Sequence, residues 1–166
     1  KIARKQAGIK NVVIGGYTNA GKSSLFNLLT RDNIYVQDKL FATLETTSRR
    51  MFLKDDKFCI LTDTVGFISK LPHELVESFA STLEEIKDAD LILHVVDVAD
   101  ENYEKNIKVT NEILNDIGAT QNRIVVLNKI DLMNKPFEVK ENEIPFSVKK
   151  KTNLEKLKDA IYKKLF

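Results

Sequence analysis

Gly16-Tyr17-Thr18-Asn19-Ala20-Gly21-Lys22-Ser23 fits the spacing G-x-x-x-x-G-K-[ST] of a phosphate-binding loop. Gly16 and Gly21 let the backbone turn where a side chain would clash, so successive N–H groups can point at phosphate oxygens. Lys22 can reach the β- and γ-phosphates as a point charge. The Ser23 hydroxyl can complete the coordination sphere of Mg²⁺. Both side chains are expected to face the ligand and not the core. The flanks agree. Asn11 to Gly15 is a short apolar run that reads as a buried strand, and Ser23-Ser24-Leu25 opens a helix that continues to Leu29. That order puts a helix N-terminus under the phosphates.

Working outward, 166 residues predict one domain with a real core. A chain 43% hydrophobic and 30% charged has ordinary globular composition. A formal net charge of +2 is too small to argue for nucleic acid by itself. Cys59 is the only cysteine, so no intramolecular disulfide forms; its apolar surroundings predict a core thiol, compatible with a reducing, cytoplasmic setting. No apolar run approaches the length of a membrane span. The chain opens on Lys1, which suggests a piece of a longer protein. Residues 1–10, with Lys1, Arg4, Lys5 and Lys10, read as the end of a linker, solvated or in contact with RNA. Residues 11–166 are the domain.

Along the rest of the chain, strands and helices alternate. Asp32 to Thr47 reads as a long loop beside the phosphate site. Arg49–Lys54 and Phe58–Thr62 read as an antiparallel hairpin around a three-residue turn at Asp55-Asp56-Lys57. Pro72 opens a helix with Leu75, Val76, Phe79, Leu83 and Ile86 on one face. Leu91–Val96 is a buried central strand in which His94 reads as a satisfied core histidine. Tyr103–Ile117 is helical, with Ile107, Val109, Ile113 and Leu114 as its apolar positions and Gly118 as its stop. Arg123–Leu127 and Ile144–Phe146 are strands. Leu154–Phe166 closes the chain as a helix burying Leu154, Leu157, Ile161 and Leu165. The expected fold is α/β: a mainly parallel six-stranded sheet with one antiparallel edge strand and helices on both faces. Ligand loops then gather at the carboxyl ends of the strands.

Three further segments follow strands. In Asp63-Thr64-Val65-Gly66 the carboxylate can hold the Mg²⁺ shell, and the Gly66 N–H can meet a γ-phosphate. In Asn128-Lys129-Ile130-Asp131 the Asp131 carboxylate can accept two hydrogen bonds from guanine, a donor pair that adenine lacks. Hydrogen bonds to a charged group contribute about 1.5–3 kcal/mol each. Ser147-Val148-Lys149 follows the last strand, and its backbone can touch the guanine O6.

In order and spacing these segments resemble the motif set of the translation-factor-related GTPases. The finer resemblance is to the HflX family of the Obg–HflX group. It rests on Gly16 through Asn27, on Leu40-Phe41-Ala42-Thr43-Leu44, on Thr47 with Arg49-Arg50, on Asp63-Thr64-Val65-Gly66-Phe67-Ile68, on Leu71-Pro72-His73-Glu74-Leu75-Val76 with Phe79, and on His94-Val95-Val96-Asp97. The resemblance implies a P-loop NTPase G domain that binds and hydrolyses GTP with Mg²⁺. It implies action on the large ribosomal subunit, its RNA and protein, in separating or rescuing ribosomes. A ribosome-assembly GTPase of the Obg or Era kind is the alternative, as is a nucleotide-dependent interaction module with little hydrolysis. The chain is expected to be a monomer. Phe41, Ala42, Thr43, Leu44 and Glu45 fall in the nucleotide-facing loop, and the resemblance points to Thr43 as the Mg²⁺ ligand, with Thr47 as runner-up. Glu45-Thr46-Thr47 stands where the family usually has Asp-Pro-Thr, and Val148 where alanine is commoner.

Ras-like enzymes place a glutamine after the D-x-x-G glycine to orient the attacking water; here Phe67 stands there. Slow intrinsic turnover, carried by Lys22, Thr43 and Gly66, and a dependence on a partner are expected. In GTPases that resemble this one at Asn19, an asparagine helps hold a potassium ion that places positive charge near the transition state. A plain hydrogen bond within its own loop is the other reading of Asn19.

Overall fold

The computed structural model describes residues 8–16, 20–30, 46–64, 86–116, 118–119 and 121–166, with only the backbone of 46, 47 and 64. The expected helix from Pro72 therefore lies outside the described residues, apart from a helical end at 86–88.

Six strands form one sheet: β1 Lys10–Gly16, β2 Thr46–Phe52, β3 Phe58–Thr64, β4 Leu91–Asp97, β5 Arg123–Asn128 and β6 Glu143–Pro145. Their spatial order is β2-β3-β1-β4-β5-β6. Every pairing is parallel except β2 with β3, which is antiparallel at the edge. This is the mixed sheet expected from the sequence.

The turn between β2 and β3 sits one residue earlier than predicted: β2 ends at Phe52, and the Leu53 N–H donates to the Lys57 carbonyl at 2.8 Å around Lys54-Asp55-Asp56, with Asp55 and Asp56 both at φ 60°. Two successive positive φ angles match the right-handed twist of the strands, and aspartate tolerates that conformation better than most residues. Both strands also run further toward the nucleotide edge than their local pattern suggests. Thr46 pairs with Thr64 and Thr47 with Asp63, so the predicted loops lose residues 46, 47, 63 and 64 to the ladder.

Strand alternation sorts the core onto two faces. On one side lie Val12 and Ile14 of β1, Leu93 and Val95 of β4, and Ile124 and Val126 of β5. They are covered by α1, Lys22–Thr30, and α3, Leu154–Leu165. The predicted stripe of α3 is the buried one. On the other side Val13 and Ile92 meet Ile86 and Leu114, while Val96 and Leu127 meet Tyr103 and Ile107. The helix there is α2, Tyr103–Asp116. Its buried line runs through Thr110 and Leu114, whereas Val109 and Ile113 are half-buried at its margins. Cys59 is a core residue, and burial pushes its thiol up to about 12. No described helix is long and apolar enough to cross a membrane.

His94 is buried as expected, at 1% exposure, but it is not satisfied. Neither ring nitrogen has a hydrogen-bond partner among the described residues. Burial, with the nearby Arg123 charge, lowers its pKa to about 4, so the ring is neutral. The unfolded chain takes up a proton near the ordinary value of about 6.5. Between those values the unfolded state binds more protons, so this contribution to stability is complete above about pH 6.5 and is lost as pH falls toward 4. Urea unfolding should show a loss of about 2 kcal/mol between pH 7.5 and 5 that His94→Leu lacks. Equal slopes in the two proteins would rule this out.

Candidate nucleotide site

The carboxyl ends of β1, β3, β4, β5 and β6 share one edge of the sheet, as the registers Ile14↔Asp63, Gly16↔Val95, Asp97↔Asn128 and Leu127↔Pro145 require. That edge gathers the predicted segments. Gly16 closes β1 at φ 148°, and a Cβ there would sit 2.5 Å from the Val95 carbonyl oxygen. Gly21 lies at φ 92°, where a Cβ would sit 2.5 Å from the Asn128 side-chain nitrogen. The two fixed glycines of the loop thus have steric causes in neighbouring strands β4 and β5.

Lys22 opens α1 and departs from expectation. Its side chain is 2% exposed, and its ammonium group is paired with the buried Asp63 carboxylate at the end of β3. Ser23 and Ser24 are exposed, as a ligand-facing turn requires. Ser23 and Asp63 offer a hydroxyl and a carboxylate, the hard oxygen donors that Mg²⁺ takes, so these residues fit the ion. No group of three His, Cys, Asp or Glu side chains gathers among the described residues. Thr47, the alternative ligand, stands opposite Asp63 in the ladder.

Asn128 ends β5 at 3% exposure and joins three loops. Its side-chain amide donates to the Ala20 carbonyl at 2.8 Å, and its side-chain oxygen accepts from the Val148 N–H at 3.0 Å. Lys129 follows in the left-handed region at φ 73°, which turns the chain into a short 3-10 turn, Ile130–Leu132. The Ile130 N–H donates to the Phe146 carbonyl at 3.1 Å, which fixes that turn against β6. Asp131 is exposed, and one of its carboxylate oxygens accepts from the Ser147 hydroxyl at 2.8 Å. Ser147 is fully buried and accepts in turn from the Lys150 N–H at 3.0 Å. Val148 is half-buried and Lys149 exposed.

Two contributions went unread in the sequence. The Ser147 hydroxyl, not only its backbone, orients Asp131. Asp97 at the end of β4 accepts from the Lys129 ammonium group at 3.3 Å and from the Ala99 N–H at 2.9 Å, and so braces the same turn. Position at a strand end was the available signal for Asp97. Tyr17, Thr18, Asn19, Phe41, Ala42, Thr43, Leu44, Glu45, Val65 and Gly66 lie outside the described residues, as does the side chain of Thr64.

Removing the Asn128 side chain strands the Ala20 carbonyl and the Val148 N–H. Asn128→Ala is expected to lower the unfolding free energy by about 2–3 kcal/mol in urea titrations. A loss below about 0.5 kcal/mol would show that the three loops do not depend on it.

The family model described as 50S ribosome-binding GTPase matches residues 11–129. A GTPase HflX from Caldanaerobacter subterraneus subsp. tengcongensis is 52% identical over 98% of this chain, and GTPase HflX of Escherichia coli K12 is 46% identical over 79% of it. The chain spans 38% and 31% of the length of these two curated relatives. Among solved structures, a GTP-binding protein from Sulfolobus solfataricus in complex with GDP superposes with a TM-score of 0.72 at 29% identity, over 99% of this chain and 54% of that one. The G domain of the Thermotoga maritima FeoB iron transporter superposes with a TM-score of 0.72 at 25% identity, over 95% of this chain and 99% of that one. With its six-stranded sheet, and with the glycines of the phosphate-loop pattern and the Asn128–Asp131 turn on one edge, the chain belongs to the 50S ribosome-binding GTPase family, as a GTP-binding G domain of the HflX group.

Proposed function

We propose that this chain is the GTP-binding and GTP-hydrolysing unit of a protein that acts on the large ribosomal subunit. The observation that carries the nucleotide half is Asn128, whose two hydrogen bonds tie the phosphate loop to the loops around Asp131. Asp131 reads guanine through its carboxylate, oriented by the Ser147 hydroxyl. The Val148 and Lys149 backbone lies beside the base. Gly16 to Ser24 wraps the phosphates, with Lys22 turning from Asp63 to phosphate oxygens when GTP enters. Ser23 and Asp63, with Thr43, would hold Mg²⁺, which neutralises phosphate charge when bound. Residues 41–45 and 63–66 contribute to nucleotide binding, the Gly66 N–H meeting the γ-phosphate. Residues 1–10 are the end of a linker and 11–166 the G domain.

The ribosomal half is supported by the description of the matching family and by the HflX relatives. Phe67 offers no group to orient water, so turnover is slow alone and rises when the ribosome is bound. A cytoplasmic location follows from that partner. Cosedimentation of the full-length protein with large subunits should be strong with a non-hydrolysable GTP analogue and weak with GDP. Equal pelleting in both states, or none, would remove the ribosomal reading. Potassium at Asn19 belongs to the same proposal. KCl should accelerate GTP hydrolysis over choline chloride at matched ionic strength, and Asn19→Ala should lose that advantage. Equal rates in both salts would remove the ion.

A further inference from the structure

At the sheet edge opposite the nucleotide loops, β2 ends at Phe52, β3 starts at Phe58, and the last turns of α3 pack alongside. Four aromatic rings and their cations meet there. Phe52 and Phe58 lie 6.1 Å apart between centroids, and Tyr162 and Phe166 lie 5.4 Å apart. Arg50 sits 5.2 Å over Phe58, Lys54 4.8 Å over Tyr162, and Lys57 5.1 Å over Phe166. Two of these pairs, with the Lys54–Asp159 ion pair at 3.0 Å, staple the hairpin to the helix. The Tyr162 hydroxyl adds a hydrogen bond to Asp55 at 3.2 Å. The rings are nonetheless open. Phe52 keeps 62% of its surface in solvent and Phe166 48%. Beside them runs a groove of about 540 Å³ lined by Phe52, Lys54, Glu155, Lys156, Lys158 and Asp159 among others.

We propose that this patch binds single-stranded RNA, with bases stacking on the open rings and the lysines along the groove holding the phosphates. Charge and shape both favour a polyanion with exposed flat bases. Arg50–Phe58 and Leu154–Phe166 carry seven Lys and Arg against four Asp and Glu, a formal net charge of +3. Aromatic faces with interleaved cations are the arrangement on which unstacked bases and a phosphate backbone are held together. Asp55, Glu155 and Asp159 within the patch repel phosphate but can accept a hydrogen bond from a ribose 2′-hydroxyl, which favours RNA over DNA. The site needs no guanine nucleotide and goes beyond the proposed function.

The test is fluorescence anisotropy of labelled oligo(U) and oligo(dT) twelve-mers with the protein, from 50 to 200 mM KCl. Oligo(U) should bind, and two to three phosphates held by lysine give a slope of log affinity against log salt of about −2. Phe52→Ala should weaken binding about tenfold through lost stacking. The pair Lys156→Glu and Lys158→Glu should weaken it at least as much and flatten the salt slope. Affinity for GDP should stay unchanged in both variants, which shows that the protein is folded and separates this site from the nucleotide reading. No binding of oligo(U) at 50 mM salt, or wild-type affinity in both variants, would overturn the site. Equal affinity for oligo(dT) would overturn the assignment to RNA.

Discussion

Lys22→Ala is expected to lower GTP affinity by at least two orders of magnitude and to destabilise the nucleotide-free protein as well. The first effect follows from the lost charge. Charge-assisted hydrogen bonds contribute about 1.5–3 kcal/mol each, and two of them to phosphate oxygens amount to a hundredfold or more. The second follows from the structure. Lys22 and Asp63 form a pair whose side chains are 2% and 10% exposed. Removing one partner leaves a buried carboxylate uncompensated, which costs on the order of 3 kcal/mol. A Lys22 that faced only the ligand would cost no stability when removed. Urea unfolding without nucleotide and titration calorimetry with GTP measure the two effects separately. Wild-type stability in the variant would show that the Lys22–Asp63 pair contributes nothing; wild-type affinity would remove Lys22 from the phosphates.

Asp131→Asn is expected to lower GTP affinity about a hundredfold while raising affinity for xanthosine triphosphate. The carboxylate accepts from two guanine donors. An amide can accept from only one, and its NH₂ group meets a donor. Xanthine carries an oxygen at position 2, which suits the amide. The loss of one charge-assisted bond and the clash at the second set the magnitude. The Asp131 side chain is exposed, and the Ser147 hydroxyl can still donate to the amide oxygen, so the fold should be unaffected. A variant with unchanged GTP affinity and no gain for the xanthine nucleotide would show that Asp131 does not read the base.

What was legible in the sequence is what local pattern encodes. The phosphate loop could be read because its glycines, its lysine and its flanking elements lie within about twenty consecutive residues. The stripe of α3 could be read because Leu154, Leu157, Ile161 and Leu165 repeat at helical spacing, and all four are buried. The reversed edge strand could be read because an alternating run, Arg49–Lys54, and an apolar run, Phe58–Thr62, flank a short turn. What escaped depends on partners far along the chain. Thr46, Thr47, Asp63 and Thr64 look like loop until β2 pairs with β3. Lys22 meets Asp63 across 41 positions, and Asn128 meets Ala20 across 108. Ser147 meets Asp131 across 16, through a side chain whose motif had been read only for its backbone. The unpaired ring of His94 has no sequence signature, because the pattern of a buried strand is silent on whether a neighbour offers a donor or an acceptor.

The edge formed by the phosphate loop, Asn128 to Asp131 and Ser147 to Lys149 is proposed to select guanine nucleotides. Displacement of a fluorescent GDP from the protein by unlabelled GTP and ATP, in Mg²⁺ buffer, tests it most directly. GTP should displace the probe at a concentration at least a hundredfold below that of ATP, and displacement by ATP at a comparable concentration would contradict the account.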